Sequence, residues 1–136
     1  MKKLLRKMKL DFRILVLTSL FFNFHAFGQL NNDAKILMNT GHDTYQSIRI
    51  LSLKKYGTNN QLVSHEINKQ CSAYWKLING NNINNNLLLA AVSANTYQKN
   101  KFETLLKSGN IKQSLSLVID WVKVASYYNE NLPYFR

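Results

Sequence analysis

The chain of 136 residues carries 18 lysines and arginines against 7 acids, a net charge of +11, with 46% hydrophobic and 12% aromatic residues. That apolar fraction excludes an intrinsically disordered chain. The single cysteine excludes an internal disulfide, and five scattered glycines leave no phosphate-cradling loop.

The N-terminus opens with Lys2, Lys3, Arg6, Lys7 and Lys9, extended by Arg13, and continues into the apolar run Ile14–Phe22. Asn23 to Phe27 follow, then Gly28 and Gln29. A basic stretch, a short apolar run and small residues at a seam are the parts of a secretory signal peptide. Ala26 and Gly28 sit where the peptidase admits small side chains, so cleavage is expected between Gly28 and Gln29. The apolar run is shorter than the roughly 20 residues a membrane-crossing helix needs, and a retained anchor is the alternative. Residues 1–28 are read as a signal peptide and 29–136 as a single helical domain outside the cytoplasm, periplasmic or secreted, with membrane contact at the N-terminus before cleavage. The signal takes 6 of the basic and 1 of the acidic residues with it, leaving a net charge of +6 on residues 29–136. That excess favours acidic partners or an anionic envelope surface through long-range attraction.

From Asp43 to Tyr56, the residues Tyr45, Ile48, Leu51 and Lys55 follow a helical face, with Asp43 as N-cap and Gly57 as stop; Ser47–Leu53 also partly alternates, as a strand would. The next helix is expected over Asn59–Asn79. There Val63, Ile67, Cys71, Tyr74 and Ile78 form one stripe, Thr58 and Gln61 match a capping box, and Gly80 supplies a left-handed stop. Such a helix is about 30 Å long. Ile83–Tyr97 reads as a third helix, apolar nearly all round through Leu87–Val92 and therefore central, with Ala90, Ala91 and Ala94 allowing close approach. A short helix over Lys101–Lys107 points Phe102, Leu105 and Leu106 inward. The last runs from Ile111 to about Tyr128, with Ile111, Leu115, Val118, Val122 and Ala125 on one face and Leu117 and Trp121 widening it. The aromatics of the tail after Asn129 are expected to fold back. Short loops make neighbouring helices antiparallel. The fold class is all-α, a small four- to five-helix antiparallel bundle.

No constellation of residues reaches a chemical mechanism. His65-Glu66 begins like a zinc-protease helix, but Lys69 stands where the second histidine belongs, and no Cys/His grouping has metal spacing. No cofactor or metal is expected. His42 neighbours Asp43, which capping explains. Cys71 reads as a small core residue. The acids are scattered singly; Glu66 and Asp120 could form a carboxylate pair across facing helices, although Asp120 beside Trp121 reads as a solvated flank residue. Tyr97–Phe102 and Tyr74-Trp75-Lys76 interleave aromatic and basic side chains as single-strand nucleic-acid binders do, but an exported protein meets little nucleic acid and none is expected as a partner. Trp75 and Tyr127 are candidates for exposed interface anchors. The abundant asparagines, dense from Asn79 to Asn86, read as compositional drift. The function expected is a non-catalytic module binding another protein or an envelope component. The alternatives are a cell-wall or lipid-acting enzyme using scattered acids, and a cationic membrane-associated helical protein.

Overall fold

A computed structural model describes residues 28–135, which are mostly helical and contain no strand. Residues up to Phe27, including Ala26 of the expected cleavage seam, lie outside the described residues. Seven α-helices follow in order: α1 (Asn32–Thr40), α2 (His42–Tyr56), α3 (Asn60–Ile78), α4 (Asn85–Asn95), α5 (Lys99–Lys107), α6 (Ile111–Ser114) and α7 (Trp121–Asn131), ending in a 3-10 turn at Leu132–Tyr134. The main packing partners are α2 with α3, α4 with α7, and α3 with both α7 and α1.

Helix α1 has no counterpart among the expected elements. Only Ala34 and Leu37 of this helix are buried, whereas Ile36 and Met38 are exposed, so no apolar stripe announces it. Its start is fixed instead by Asn31, whose side-chain oxygen accepts the Ala34 backbone N–H at 2.9 Å. Asn59 does the same for Leu62 at the head of α3, and Asn84 for Leu87 at the head of α4. These bonds satisfy N–H groups that a helix leaves without partners. Three asparagines therefore have a structural role that compositional drift overlooks, and Asn59, not the expected Thr58, caps α3.

Helix α2 is a helix throughout, which removes the strand alternative at Ser47–Leu53. Tyr45, Ile48 and Leu51 are buried as expected. Asp43 is not its cap: Gly41 holds that position without a side-chain bond, and Asp43 lies in the first turn, where its charge favours the helix dipole. After α3 the left-handed residue is Asn82 (φ 61°), not Gly80. Gly80 is needed for close approach, since a Cβ there would meet Ile83 Cδ1 at 2.7 Å and the Lys76 carbonyl oxygen at 3.1 Å. Helix α4 is shorter than expected and one-sided: Leu87, Leu88, Ala91 and Val92 are buried, but Ala90 and Ala94 face outward.

The long final helix expected from Ile111 is broken. It stops after Ser114, and Val118–Ile119 runs extended against Thr96–Tyr97, with the Tyr97 N–H donating to the Val118 carbonyl at 3.0 Å and the Asp120 N–H to the Asn95 carbonyl at 3.2 Å. Extended backbone sends alternate residues to one side, and Leu117, Ile119 and Trp121 all reach the core this way. Ile111, expected on the inward face, is 50% exposed. Asp120 then caps α7. The tail's aromatics do not fold back as expected, with Tyr134 84% and Phe135 48% exposed, although Leu132 packs against the core and Asn84 Nδ2 donates to the Phe135 carbonyl. The core is continuous from Ala34 and Leu37 through Ile67 and Cys71 to Phe102, Trp121 and Val124.

Candidate functional site

Glu66 and Asp120 are brought together. Glu66 lies on α3, four residues before Gln70 and hence on the same face. Asp120 heads α7, and Lys55 reaches in from the last turn of α2. The Lys55 ammonium donates to Glu66 Oε1 at 2.7 Å and to Asp120 Oδ2 at 3.0 Å. Gln70 Nε2 donates to both carboxylates, at 2.8 Å each, and its Oε1 accepts the backbone N–H of Trp121 at 2.6 Å. Lys69 lies 3.4 Å from the other Glu66 oxygen. Glu66 and Asp120 are each 2% exposed, so Asp120 is not the solvated flank residue expected.

Burial pushes the Glu66 carboxyl up, but the hydrogen bonds from Lys55 and Gln70 and the charges of Lys55 and Lys69 outweigh it and hold the group below the ordinary range. Asp120 is likewise raised by burial and pulled lower overall by Gln70, Lys55 and the Lys123 backbone N–H. Burial alone would lower Lys55; its two carboxylate partners raise it. All three groups are therefore charged near neutral pH. A general acid needs a carboxyl that keeps its proton at working pH, and a nucleophilic carboxylate needs access to substrate. This pair has neither property. The arrangement joins α2, α3 and α7 electrostatically.

The other candidates are dispersed. Cys71 is fully buried in the core, and burial pushes its thiol up to about 12, with the Asp33 charge adding to the shift. His42 lines an open cleft of about 440 Å³ with Asp43, Thr44, Tyr74 and Lys112, while His65 is exposed on α3. Among the described residues no three His, Cys, Asp or Glu side chains could hold a metal. The interleaved aromatic and basic segments form no stacking platform. Phe102 is fully buried, and Tyr74 sits edge-on to both Trp75 and Trp121, at ring separations of 5.4 and 4.9 Å. Trp75 is half-buried, with its indole N–H on the Asp33 carbonyl, whereas Tyr127 is 37% exposed. Of the seam residues, Gly28 packs on Ser64 of α3 and Gln29 is exposed.

One surface feature had no sequence-based expectation, and a second sharpens the basic excess expected from the charge count. Ile50 and Leu53 are exposed on α2, and the neighbouring Lys54 places its ammonium 5.4 Å from the exposed Tyr97 ring, within cation–π range. They are off the buried stripe, and nothing in the spacing distinguishes them from ordinary exposed positions. The second feature concerns charge. With Glu66, Asp120 and Lys55 held in the network, residues 29–136 keep 11 basic side chains against 4 carboxylates outside it. No protein-family model, curated protein or solved structure matches the chain, so its functional reading rests on this geometry.

Proposed function

We propose that this chain is a small exported helical module, an antiparallel bundle after a cleaved signal peptide, that binds another protein or an envelope component without catalysis. The observation that carries this reading is the internal neutralisation of Glu66 and Asp120. It ties up the two carboxylates best placed for chemistry and leaves the outside of the domain more basic than its composition. Such a surface attracts acidic partners over distances of about 10 Å at moderate salt. The exposed Ile50 and Leu53 of α2, with Lys54 bridging to the Tyr97 ring, offer apolar side chains next to a basic one.

The test is co-sedimentation of residues 29–136 with cell-wall sacculi, outer-envelope vesicles and envelope protein extracts across a salt series. Saturable binding that weakens as salt rises and is reduced by Ile50→Asp with Leu53→Asp supports the reading. An unassociated monomer with every fraction at low salt overturns it. An enzyme acting on cell wall or lipid is the second reading, favoured by the juxtaposition of Glu66 and Asp120 and opposed by their burial and charge. Hydrolysis of an envelope substrate that is lost on Glu66→Gln or Asp120→Asn, while the thermal melt is unchanged, would establish it in place of the first.

A further inference from the structure

The chain around the expected cleavage seam is anchored in an unusual way. Asn68 of α3 grips the backbone on both sides of Leu30: its Nδ2 donates to the Gln29 carbonyl at 3.0 Å, and its Oδ1 accepts the Asn31 N–H at 2.8 Å. Asn31 is held further by its bond to Ser72 and its capping bond to Ala34. Gln29 is thereby fixed through its carbonyl, and the residue itself is exposed. On the other side of the seam Gly28 lies so close to α3 that a Cβ would meet Ser64 Cβ at 2.8 Å.

Cleavage after Gly28 would give Gln29 a primary amine, whose ordinary pKa of about 7.7–8.0 leaves a usable fraction unprotonated near neutral pH. That nitrogen and the side-chain amide carbon of the same residue are joined through Cα, Cβ and Cγ, so a bond between them closes a five-membered ring, an intramolecular reaction with the advantage of proximity. We propose that Gln29 is a modification site: once freed by cleavage, it cyclises to a lactam, and the exported protein carries a blocked N-terminus. The α-nitrogen forms a bond to Cδ, and the bond from Cδ to the side-chain nitrogen breaks. Ammonia departs with the proton that the amine gives up. Nothing is oxidised or reduced and no water is consumed. The ring leaves the Gln29 carbonyl intact, so the grip of Asn68 survives. The product lacks one positive charge and offers aminopeptidases no free amine.

This inference rests on the export reading, and one experiment separates the two. Protein recovered from envelope and medium fractions of the native cell is measured by intact mass, and its N-terminal peptide is sequenced by fragmentation. The expected result is the mass of Gln29–Arg136 less one ammonia, with an N-terminus that resists aminopeptidase. The Gln29→Asn variant, one carbon too short for the ring, should show the full mass of its chain and be trimmed. A wild-type chain that begins at an open Gln29 overturns cyclisation and leaves export standing. A chain cut elsewhere overturns cyclisation at Gln29 and leaves export standing, an uncut chain held in the membrane fraction overturns both cleavage and cyclisation, and a variant that is equally blocked overturns the assignment to the glutamine side chain.

Discussion

Replacing Lys55 by methionine keeps an unbranched stem and deletes the ammonium, so it isolates the charge in the buried network. The ammonium sits 2.7 and 3.0 Å from two carboxylates that are each 2% exposed. At an effective dielectric of about 20, attraction at these distances is roughly 6 kcal/mol per contact, offset by desolvation, chiefly of the two carboxylates, and reduced by solvent at Lys55, whose side chain is 30% exposed. Removing one side of a buried pair costs about 3–5 kcal/mol because the remaining charge is stranded. A domain of this size has about 5–15 kcal/mol in total, so Lys55→Met should lose a large fraction of its stability at pH 7. The pH profile is the sharper test. In the wild type the Glu66 and Asp120 carboxyls lie below their ordinary 4.5 and 3.8, so their contribution is present above those values and drains as pH falls through the lower folded ones. Lys55 lies above 10.5, so its contribution holds below that value and is lost as pH climbs through the higher folded one. In Lys55→Met, Glu66 still has Lys69, but Asp120 keeps the neutral Gln70 amide and Lys123 N–H. Burial then raises Asp120, the native state takes up a proton before the unfolded chain does, and the penalty shrinks on acidification towards pH 5. Urea unfolding followed by circular dichroism measures both effects. A variant within about 1 kcal/mol of wild type at pH 7, with the same pH slope, would refute the reasoning.

Cys71 should be inert to thiol reagents in the folded protein at pH 8 and react stoichiometrically in denaturant, because its thiol is buried and pushed up to about 12; rapid native labelling would contradict its placement. Gly57 sits at φ 57°, ψ −120°, so Gly57→Ala should cost about 1–3 kcal/mol in a thermal melt despite open space around it. Asn84→Ala removes the cap of α4 and should cost about 0.5–2 kcal/mol, read as a lower urea midpoint with unchanged slope.

Helices α2 to α5 were legible because their inward residues recur with helical spacing and Gly57 and Gly109 take left-handed conformations at the ends of α2 and α5. The break before α7 was not, because no glycine or proline marks it. Ile111, Leu115 and Val118 keep helical spacing although Val118 leaves the helix to pair with Tyr97, a contact between distant segments that local periodicity does not encode. The Glu66–Asp120 pair could be conceived from sequence, but its saturation could not. The available signal was Lys55, a charged residue completing the apolar stripe of Tyr45, Ile48 and Leu51. A lysine in that register needs an acid to meet it. Gln70, buried between Ile67 and Cys71, carried the same message.

The network also bears on how the chain finds its native arrangement. Lys55 and Glu66 are 11 residues apart, whereas Gln70 and Lys55 reach Asp120 across 50 and 65. Contacts of such different loop lengths close in sequence, the near one first. Helices α2 and α3 can therefore meet early, with Glu66 already neutralised and one amide of Gln70 still hydrated. Helix α7 must then arrive with Asp120 and the Trp121 N–H opposite that single side chain. A slip of one turn, about 5.4 Å, would leave Trp121 and Val124 on an apolar surface but bury Asp120 without its lysine. The observed register brings Asp120 and the Trp121 N–H onto Lys55 and Gln70 together, so the polar cluster favours this alignment over a slipped one as the last helix docks.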